Sequence, residues 1–133
     1  MRDAVTDTHG LIWYLEDSPR LGSGARAVFD ACDRGEVVVY VPTICLVEII
    51  YLQEKGRIPV DLKAALDTEL QAGTTGLILA SLTPEVADAV AHVPRSDVSD
   101  MPDRIIAATA VHLDLPLISR DRAIQLSAVE TIW

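Results

Sequence analysis

Aromatic residues are scarce in this sequence, and no long apolar run is present. Phe, Trp and Tyr make up 5% of its 133 residues, so the core has to be built from the small and aliphatic residues that fill helix-covered parallel sheets. No run approaches the roughly 18 uninterrupted apolar residues of a membrane span, and the N-terminus lacks the pattern of a signal peptide. We therefore expect residues 1–133 to form a single cytoplasmic domain with no membrane partner.

Cysteine is nearly absent too. Cys32 and Cys45 are the only two, and both fall in apolar segments with a helical pattern. Without a secretion signal, this pattern favours two buried free thiols over a disulfide.

Positive charge is in short supply, since the formal net charge is −9. Nucleic-acid-binding proteins usually carry a basic face, so this balance argues against a general polyanion-binding surface. This argument weakens if carboxylates bind divalent cations, because the bound positive charge offsets the negative charge, and most strongly near the site itself. Most of the basic residues are arginines, and Arg104 and Arg120 lie in or beside an acidic stretch. Their planar, bidentate donors suit phosphate, so we expect both to bind substrate.

Short apolar runs alternate with helical patterns along the whole sequence. The runs predict strands at residues 4–6, 37–41, 77–80, 115–119 and 130–133. Between them, Ser23, Thr43 and Thr83 are predicted to cap helices. The alternation predicts an α/β fold, a three-layer α/β/α sandwich with a mainly parallel central sheet.

The most informative stretch is residues 100–121, DMPDRIIAATAVHLDLPLISRD. Asp100 and Asp103 stand at the start of an apolar helix, where Pro102 fits the first turn. Asp121 follows the short strand that comes next. This helix–strand unit therefore presents Asp103 at one end and Asp121 at the other.

Glu48 lies within an apolar helical stripe. Its neighbours three and four residues away are largely apolar, namely Ile44, Cys45, Tyr51 and Leu52. Burying an unpaired carboxylate is costly, so Glu48 needs a cation, a metal or a proton, unless it lies at a rim and reaches water.

The aspartates allow two interpretations each. Asp7 and Asp121 follow predicted strands, where open parallel sheets place their ligands, but Asp in that position also commonly caps a helix or starts a turn. Asp103 is either a chemical group or the acidic third residue of a helix that Asp100 caps. We expect Asp100 to be mainly structural and Asp103 to carry chemistry.

These carboxylates are predicted to meet, because the carboxyl ends of parallel strands and the amino ends of the following helices converge on one edge. Four carboxylates would repel one another unless metals neutralised them, and oxygen ligands suit Mg²⁺ or Mn²⁺. The matching chemistry is phosphodiester hydrolysis, in which a metal activates the attacking water.

Taken together, Asp7-Thr8 after a strand, Glu48 on an apolar helix, PDRIIAA at 102–108 and ISRD at 118–121 resemble the PIN domain, and within it the VapC-type ribonuclease toxins. The resemblance spans nearly the whole chain. It implies that Asp7, Glu48, Asp103 and Asp121 are the catalytic quartet that holds Mg²⁺ or Mn²⁺, with Ser119 beside the metal, where we expect it to contact substrate. It also implies an RNA substrate, a VapB-like antitoxin and a homodimer.

Two other functions compete with a ribonuclease. One is a flavodoxin-like signalling domain in which Asp7 accepts a phosphoryl group, although such domains usually need a lysine after a late strand and the only lysines are Lys55 and Lys63. The other is a non-catalytic interaction module, which a carboxylate in an apolar helix argues against. His9 and the Trp13-Tyr14 pair are weaker candidates for substrate contact, and we expect them to be structural.

Overall fold

All strands of the central sheet run parallel to their neighbours. A computed structural model describes every residue, Met1–Trp133. The strands are β1 (Ala4–Thr6), β2 (Val39–Pro42), β3 (Leu77–Ala80), β4 (Leu117–Ile118) and β5 (Thr131–Ile132). They form one five-stranded sheet in the order β3-β2-β1-β4-β5.

Helices fill the connections between the strands. They are α1 (Thr8–Leu15), α2 (Ser23–Asp33), α3 (Thr43–Glu54), α4 (Leu62–Ala72), α5 (Pro84–Ala89) with a 3-10 turn at Val90–His92, α6 (Met101–Leu113) and α7 (Arg122–Leu126). Because parallel crossovers are right-handed, helices that lead towards β3 cover one face and helices that lead back cover the other. The packing of α1 against α2 and α3, and of α5 against α6, agrees with this arrangement. The predicted α/β/α sandwich is therefore confirmed, with a wholly parallel sheet.

The sheet has a switch point between β1 and β4. From β1 the chain moves to β2 and β3 on one side, and then returns to β4 and β5 on the other. In such sheets a crevice opens at the carboxyl ends of the two strands that flank the switch. Asp7 directly follows β1, and Ser119 directly follows β4, so the fold brings both residues to this crevice.

The core consists almost entirely of small and aliphatic side chains. It forms one cluster of 29 buried residues, in which Phe29 is the only phenylalanine. Ala107, Ala108 and Ala110 let α6 approach the sheet closely, and all three are buried. Cys32 and Cys45 are buried and free, as the sequence predicts. None of the helices is both long enough and apolar enough to span a membrane.

Two of the predicted helix caps are wrong. The N-cap of α2 is Gly22 rather than Ser23, and the N-cap of α3 is Pro42 rather than Thr43. Thr43 instead donates its hydroxyl to the carbonyl of Ala80, 3.2 Å away at the end of β3. This hydrogen bond joins the start of α3 to the end of β3, and the helix begins at Thr43 itself, one residue earlier than a cap at Thr43 would allow. The third predicted cap is confirmed, since Thr83 accepts a hydrogen bond from the main chain of Val86.

The predicted strand bounds also differ from the observed ones at three places. Residues 37–41, 115–119 and 130–133 pair as Val39–Pro42, Leu117–Ile118 and Thr131–Ile132. Apolar composition indicates which residues are buried, but it does not show where the neighbouring strand ends and pairing has to stop.

Candidate active site

One pocket of about 490 Å³ opens at the switch point of the sheet. Five carboxylates line it, namely Asp7, Glu48, Asp100, Asp103 and Asp121. They come from the ends of β1 and β4 and from the helices α3 and α6. The four residues predicted as a quartet are thus brought together around one cavity, with Asp100 as a fifth member.

Asp7 is both a helix cap and a wall of the pocket. Its Oδ1 accepts a hydrogen bond from the main-chain N–H of Gly10 at 2.8 Å, which caps α1. Burial raises the pKa of Asp7 above its ordinary value, while hydrogen bonds from Ser119 and Gly10 oppose this shift. The capping interpretation of Asp7 is therefore confirmed, and its catalytic role stays a prediction for a side chain that also lines the cavity.

Asp121 has the same double position at the start of α7. Its Oδ1 accepts a hydrogen bond from the N–H of Ile124 at 3.0 Å. Its own main-chain N–H donates to the Ser119 hydroxyl oxygen at 3.1 Å. These two hydrogen bonds hold the turn after β4 on both sides of Asp121, which favours a fixed orientation of its carboxylate towards the pocket.

Asp100 and Asp103 form an acidic pair at the start of α6. Asp100 caps the helix, since its Oδ2 accepts a hydrogen bond from the N–H of Asp103 at 3.1 Å. Burial and then the neighbouring carboxylates, with Asp100 first among them, raise the pKa of Asp103 from 3.8 to about 7. The predicted capping role of Asp100 is confirmed, but Asp100 also contributes negative charge to the pocket.

Glu48 is partly buried and is held from α1. The hydroxyl of Thr8 donates a hydrogen bond to its Oε1. Both side chains line the pocket, so the carboxylate of Glu48 lies at the cavity and is not enclosed by the apolar side chains of α3. The sequence left two alternatives open, a buried carboxylate and one that reaches water at a rim. Glu48 lies between them, since its side chain is only partly buried.

The pocket has a surplus of negative charge that calls for a cation. Arg120 and His9 are the only basic residues that line it, against five carboxylates. The donor atoms are hard oxygens, which fit Mg²⁺ or Mn²⁺. No three acidic, His or Cys side chains are close enough to form a ready-made metal cage. Mg²⁺ does not require one, because it is usually bound through one or two carboxylates and keeps several waters.

The three residues predicted to bind substrate have different positions. Arg120 lines the pocket. Ser119 is fully buried behind it and holds Asp7 and the main chain of Asp121, so it orients carboxylates and does not reach a substrate. Arg104 donates to the carbonyls of Val93 and Val90 at 3.0 Å each and does not line the pocket. These positions correct the expectation that Ser119 and Arg104 contact substrate.

The structure also adds residues to the site. Thr8, His9, Trp13 and Trp133 complete the lining of the pocket. The sequence predicts structural roles for Trp13 and His9, and it gives no indication that Trp133 lies at the site. Its only sequence signal was its place at the end of a short predicted strand, which says nothing about the pocket that it reaches.

Comparisons with known proteins agree with this fold. The chain is 27% identical over 125 residues to Ribonuclease VapC22 of Mycobacterium tuberculosis (strain ATCC 25618 / H37Rv), which covers 94% of this chain and 92% of the relative. The fold resembles VapBC2 from Rickettsia felis, solved bound to a promoter DNA fragment, with a TM-score of 0.70, 12% identity and coverage of 98% and 99%. It also resembles a toxin–antitoxin complex from Klebsiella pneumoniae, with a TM-score of 0.55, 21% identity and coverage of 91% and 89%. The sequence pattern of the PIN domain matches residues 4–129, and the chain therefore belongs to the PIN domain family.

Proposed function

We propose that this PIN-domain protein is a metal-dependent endoribonuclease and the toxin of a toxin–antitoxin pair. The observation that carries the proposal is the convergence of five carboxylates on one pocket at the switch point of a parallel sheet. A relative that is named a ribonuclease, and a structural neighbour that is a toxin–antitoxin complex, support the same assignment.

In this proposal Asp7, Glu48, Asp103 and Asp121 hold Mg²⁺ or Mn²⁺. A bound divalent cation would lower the pKa of an attacking water and stabilise the charge that develops on the phosphate. The raised pKa of Asp103 supports a cation at this place, because burial and then the neighbouring carboxylates destabilise its ionised form until positive charge enters the pocket.

The chain itself supplies orientation. Ser119 and Gly10 fix the carboxylate of Asp7, Thr8 fixes that of Glu48, and the N–H of Ile124 fixes that of Asp121. Such contacts behind metal ligands typically change metal affinity or activity about 10- to 100-fold when they are removed. Arg120 lies at the pocket, where its planar donors suit a phosphate of the RNA.

The flavodoxin-like phosphoacceptor is disfavoured by the topology. That fold has the strand order 2-1-3-4-5, whereas this sheet has the order β3-β2-β1-β4-β5. Lys63 is paired with Asp67 at 2.6 Å, and neither Lys63 nor Lys55 lines the pocket. No lysine is therefore placed to hold a phosphoryl group on Asp7.

The proposed partner is a VapB-like antitoxin, and the proposed assembly includes a homodimer. The helix α3 leaves apolar side chains in water, since Val47 is 44%, Ile50 41% and Tyr51 61% exposed. An apolar helix of a partner would cover this surface, while a basic side chain would enter the acidic pocket beside it.

A circular RNA tests whether cleavage is internal. It has no ends, so an exonuclease leaves it intact, whereas the proposed endoribonuclease converts it to linear fragments in the presence of Mn²⁺. If the purified protein shortens linear RNA stepwise and leaves the circle untouched, the endonuclease assignment is wrong.

A further inference from the structure

The pocket has a second half that the carboxylates do not use. Besides the acidic residues it is lined by a group of side chains that we call the aromatic wall and define as His9, Trp13, Arg120 and Trp133. The chain links the two halves, since His9 follows Asp7 by two residues and Arg120 directly precedes Asp121. Whatever the wall binds therefore lies next to the proposed metal site.

Trp13 is the foundation of this wall. It is 9% exposed, and three other residues of the wall pack against its ring. The guanidinium carbon of Arg120 lies 4.6 Å from its ring centroid, within the range of a cation–π contact. The ring of His9 is 5.5 Å away, and Trp133 meets it edge-on at 5.7 Å. Trp13 thus fixes the groups that face the cavity.

Trp133 packs into space that is left free by two glycines. A Cβ on Gly22 would come within 2.5 Å of Cδ1 of Trp133, and one on Gly24 within 2.6 Å of its carbonyl oxygen. Gly22 has an ordinary φ of −65°, so its lack of a side chain serves this contact and not a special backbone conformation. The indole is therefore held in place while part of it remains exposed to the pocket.

The occupant of such a wall has to offer a flat face and negative charge together. The indole of Trp133 suits the face of a base, and every base has one. Arg120 suits an adjacent phosphate, and a single-stranded RNA offers both groups within one nucleotide. An acidic side chain of a peptide would supply the negative charge, but it offers no flat face to the indole.

We propose that Trp133 stacks against a nucleobase next to the scissile phosphate and that Arg120, held over Trp13, contacts the neighbouring phosphate. This inference rests on the proposed ribonuclease function, and it assigns the substrate contact of the pocket's second half. Because stacking is tolerant of sequence, the wall positions the RNA strand and does not select one base.

Trp133→Ala, Trp133→Phe and Gly22→Ala test the wall, with Ser23→Ala as the matched control. Ser23 is exposed and lies between the two glycines. We expect Trp133→Ala to raise the KM for single-stranded RNA about 5- to 100-fold, as loss of one stacking aromatic typically does. The kcat should change less than about threefold, because stacking is uniform binding. Trp133→Phe should restore KM, Gly22→Ala should follow Trp133→Ala, and Ser23→Ala should match the wild type.

A binding comparison separates the wall from the nuclease. Fluorescence anisotropy compares a labelled RNA with a base-free phosphodiester chain of equal length, in an Asp103→Asn background that does not degrade the probe. The protein should prefer RNA, and Trp133→Ala should remove this preference without changing the affinity for the base-free chain. This holds whether or not the wild type proves to be a ribonuclease, so failure of the proposed function is recognised separately, as absence of cleavage with Mn²⁺.

Thermal melts establish that each variant is folded. Unchanged KM and unchanged preference for RNA in folded Trp133→Ala would overturn the inference. If the same variant instead lost affinity for a basic peptide of the antitoxin, with RNA binding intact, the wall would belong to the partner and the assignment to RNA would be wrong.

Discussion

The hydroxyl of Thr8 donates a hydrogen bond to the carboxylate of Glu48, forty positions away in the chain. This bond joins α1 to α3 at the pocket, where the two helices pack against each other. Thr8 is buried, so its hydroxyl has little freedom to find another partner. The position of Glu48 over the cavity therefore depends on a residue that carries no charge.

Thr8→Val tests this dependence with almost no change in side-chain volume. Loss of the hydroxyl should weaken the affinity for Mn²⁺ about 10- to 100-fold, as removal of a ligand's supporting contact typically does. A titration of RNA cleavage against Mn²⁺ measures the shift. Thr109→Val is the control, because Thr109 is also buried but donates to the carbonyl of Ile105 within α6. Equal Mn²⁺ dependence in the two variants would contradict the role of Thr8.

Asp100→Ala and Asp103→Ala should affect stability in opposite directions in EDTA. Asp100→Ala removes the cap on the N–H of Asp103, and loss of a cap costs about 0.5–2 kcal/mol. Asp103→Ala removes a carboxylate whose ionised form is destabilised by burial and by its acidic neighbours, so it should leave the melting temperature unchanged or raise it.

Thr83→Ala calibrates the cost of a lost cap away from the pocket, since Thr83 caps α5 through the N–H of Val86. It should lower the melting temperature and leave cleavage intact. A larger loss of stability in Asp103→Ala than in Asp100→Ala, with cleavage retained, would mean that the roles of the two aspartates are reversed.

The metal-free protein should lose stability as the pH rises from about 4 to about 7. In the folded state the pKa of Asp103 is about 7, against 3.8 ordinarily. The folded state therefore holds this proton more tightly than the unfolded chain does. That contribution is complete below the ordinary pKa and is lost as the pH passes through about 7.

The measurement is the difference in melting temperature between wild type and Asp103→Asn in EDTA, from pH 4 to pH 8. The wild type should lose a few degrees relative to the variant over this range. With saturating Mn²⁺, the melting temperature of the wild type should vary with pH no more than that of Asp103→Asn, because the cation stabilises the ionised carboxylates. A difference in melting temperature that does not vary with pH would contradict the raised pKa of Asp103.

Ile50→Glu should prevent binding of the antitoxin and leave cleavage intact. Ile50 belongs to the exposed apolar surface of α3, and a charge there has to be desolvated when a partner helix covers it. Co-expression with the product of the adjacent reading frame, followed by co-purification, measures complex formation. Val60→Glu is the control, since Val60 is apolar and 82% exposed but lies outside α3. Equal recovery of the complex from both variants would place the partner elsewhere.

The carboxylates could be predicted from sequence because local patterns place them. Asp7 follows a buried run, and Asp103 follows a cap and a proline at a helix start, so strand and helix ends alone bring them to one edge of a parallel sheet. The caps of α2 and α3 were missed for the opposite reason. Thr43 has the sequence signal of a cap, yet α3 already begins at Thr43. Its hydroxyl donates to the carbonyl of Ala80, and only the tertiary structure contains that contact.

The aromatic wall could not be predicted for the same physical reason. Trp133 reaches the pocket because β5 lies beside β4 and because Gly22 leaves room for the indole. Both conditions join distant parts of the chain and have no periodic signal. Arg104 shows the converse error, since its place in the acidic stretch indicated phosphate binding, whereas its guanidinium is occupied by the carbonyls of Val90 and Val93.

The most direct test of the account is cleavage of labelled RNA by the purified protein in Mn²⁺ and in EDTA, with Asp103→Asn and Asp97→Asn assayed in parallel. Asp97 is exposed and lies outside the pocket, so its variant removes one negative charge without touching the site. We expect cleavage by the wild type and by Asp97→Asn in Mn²⁺ only, and none by Asp103→Asn. Full activity in EDTA, or undiminished activity of Asp103→Asn, would contradict a metal-dependent nuclease built on these carboxylates.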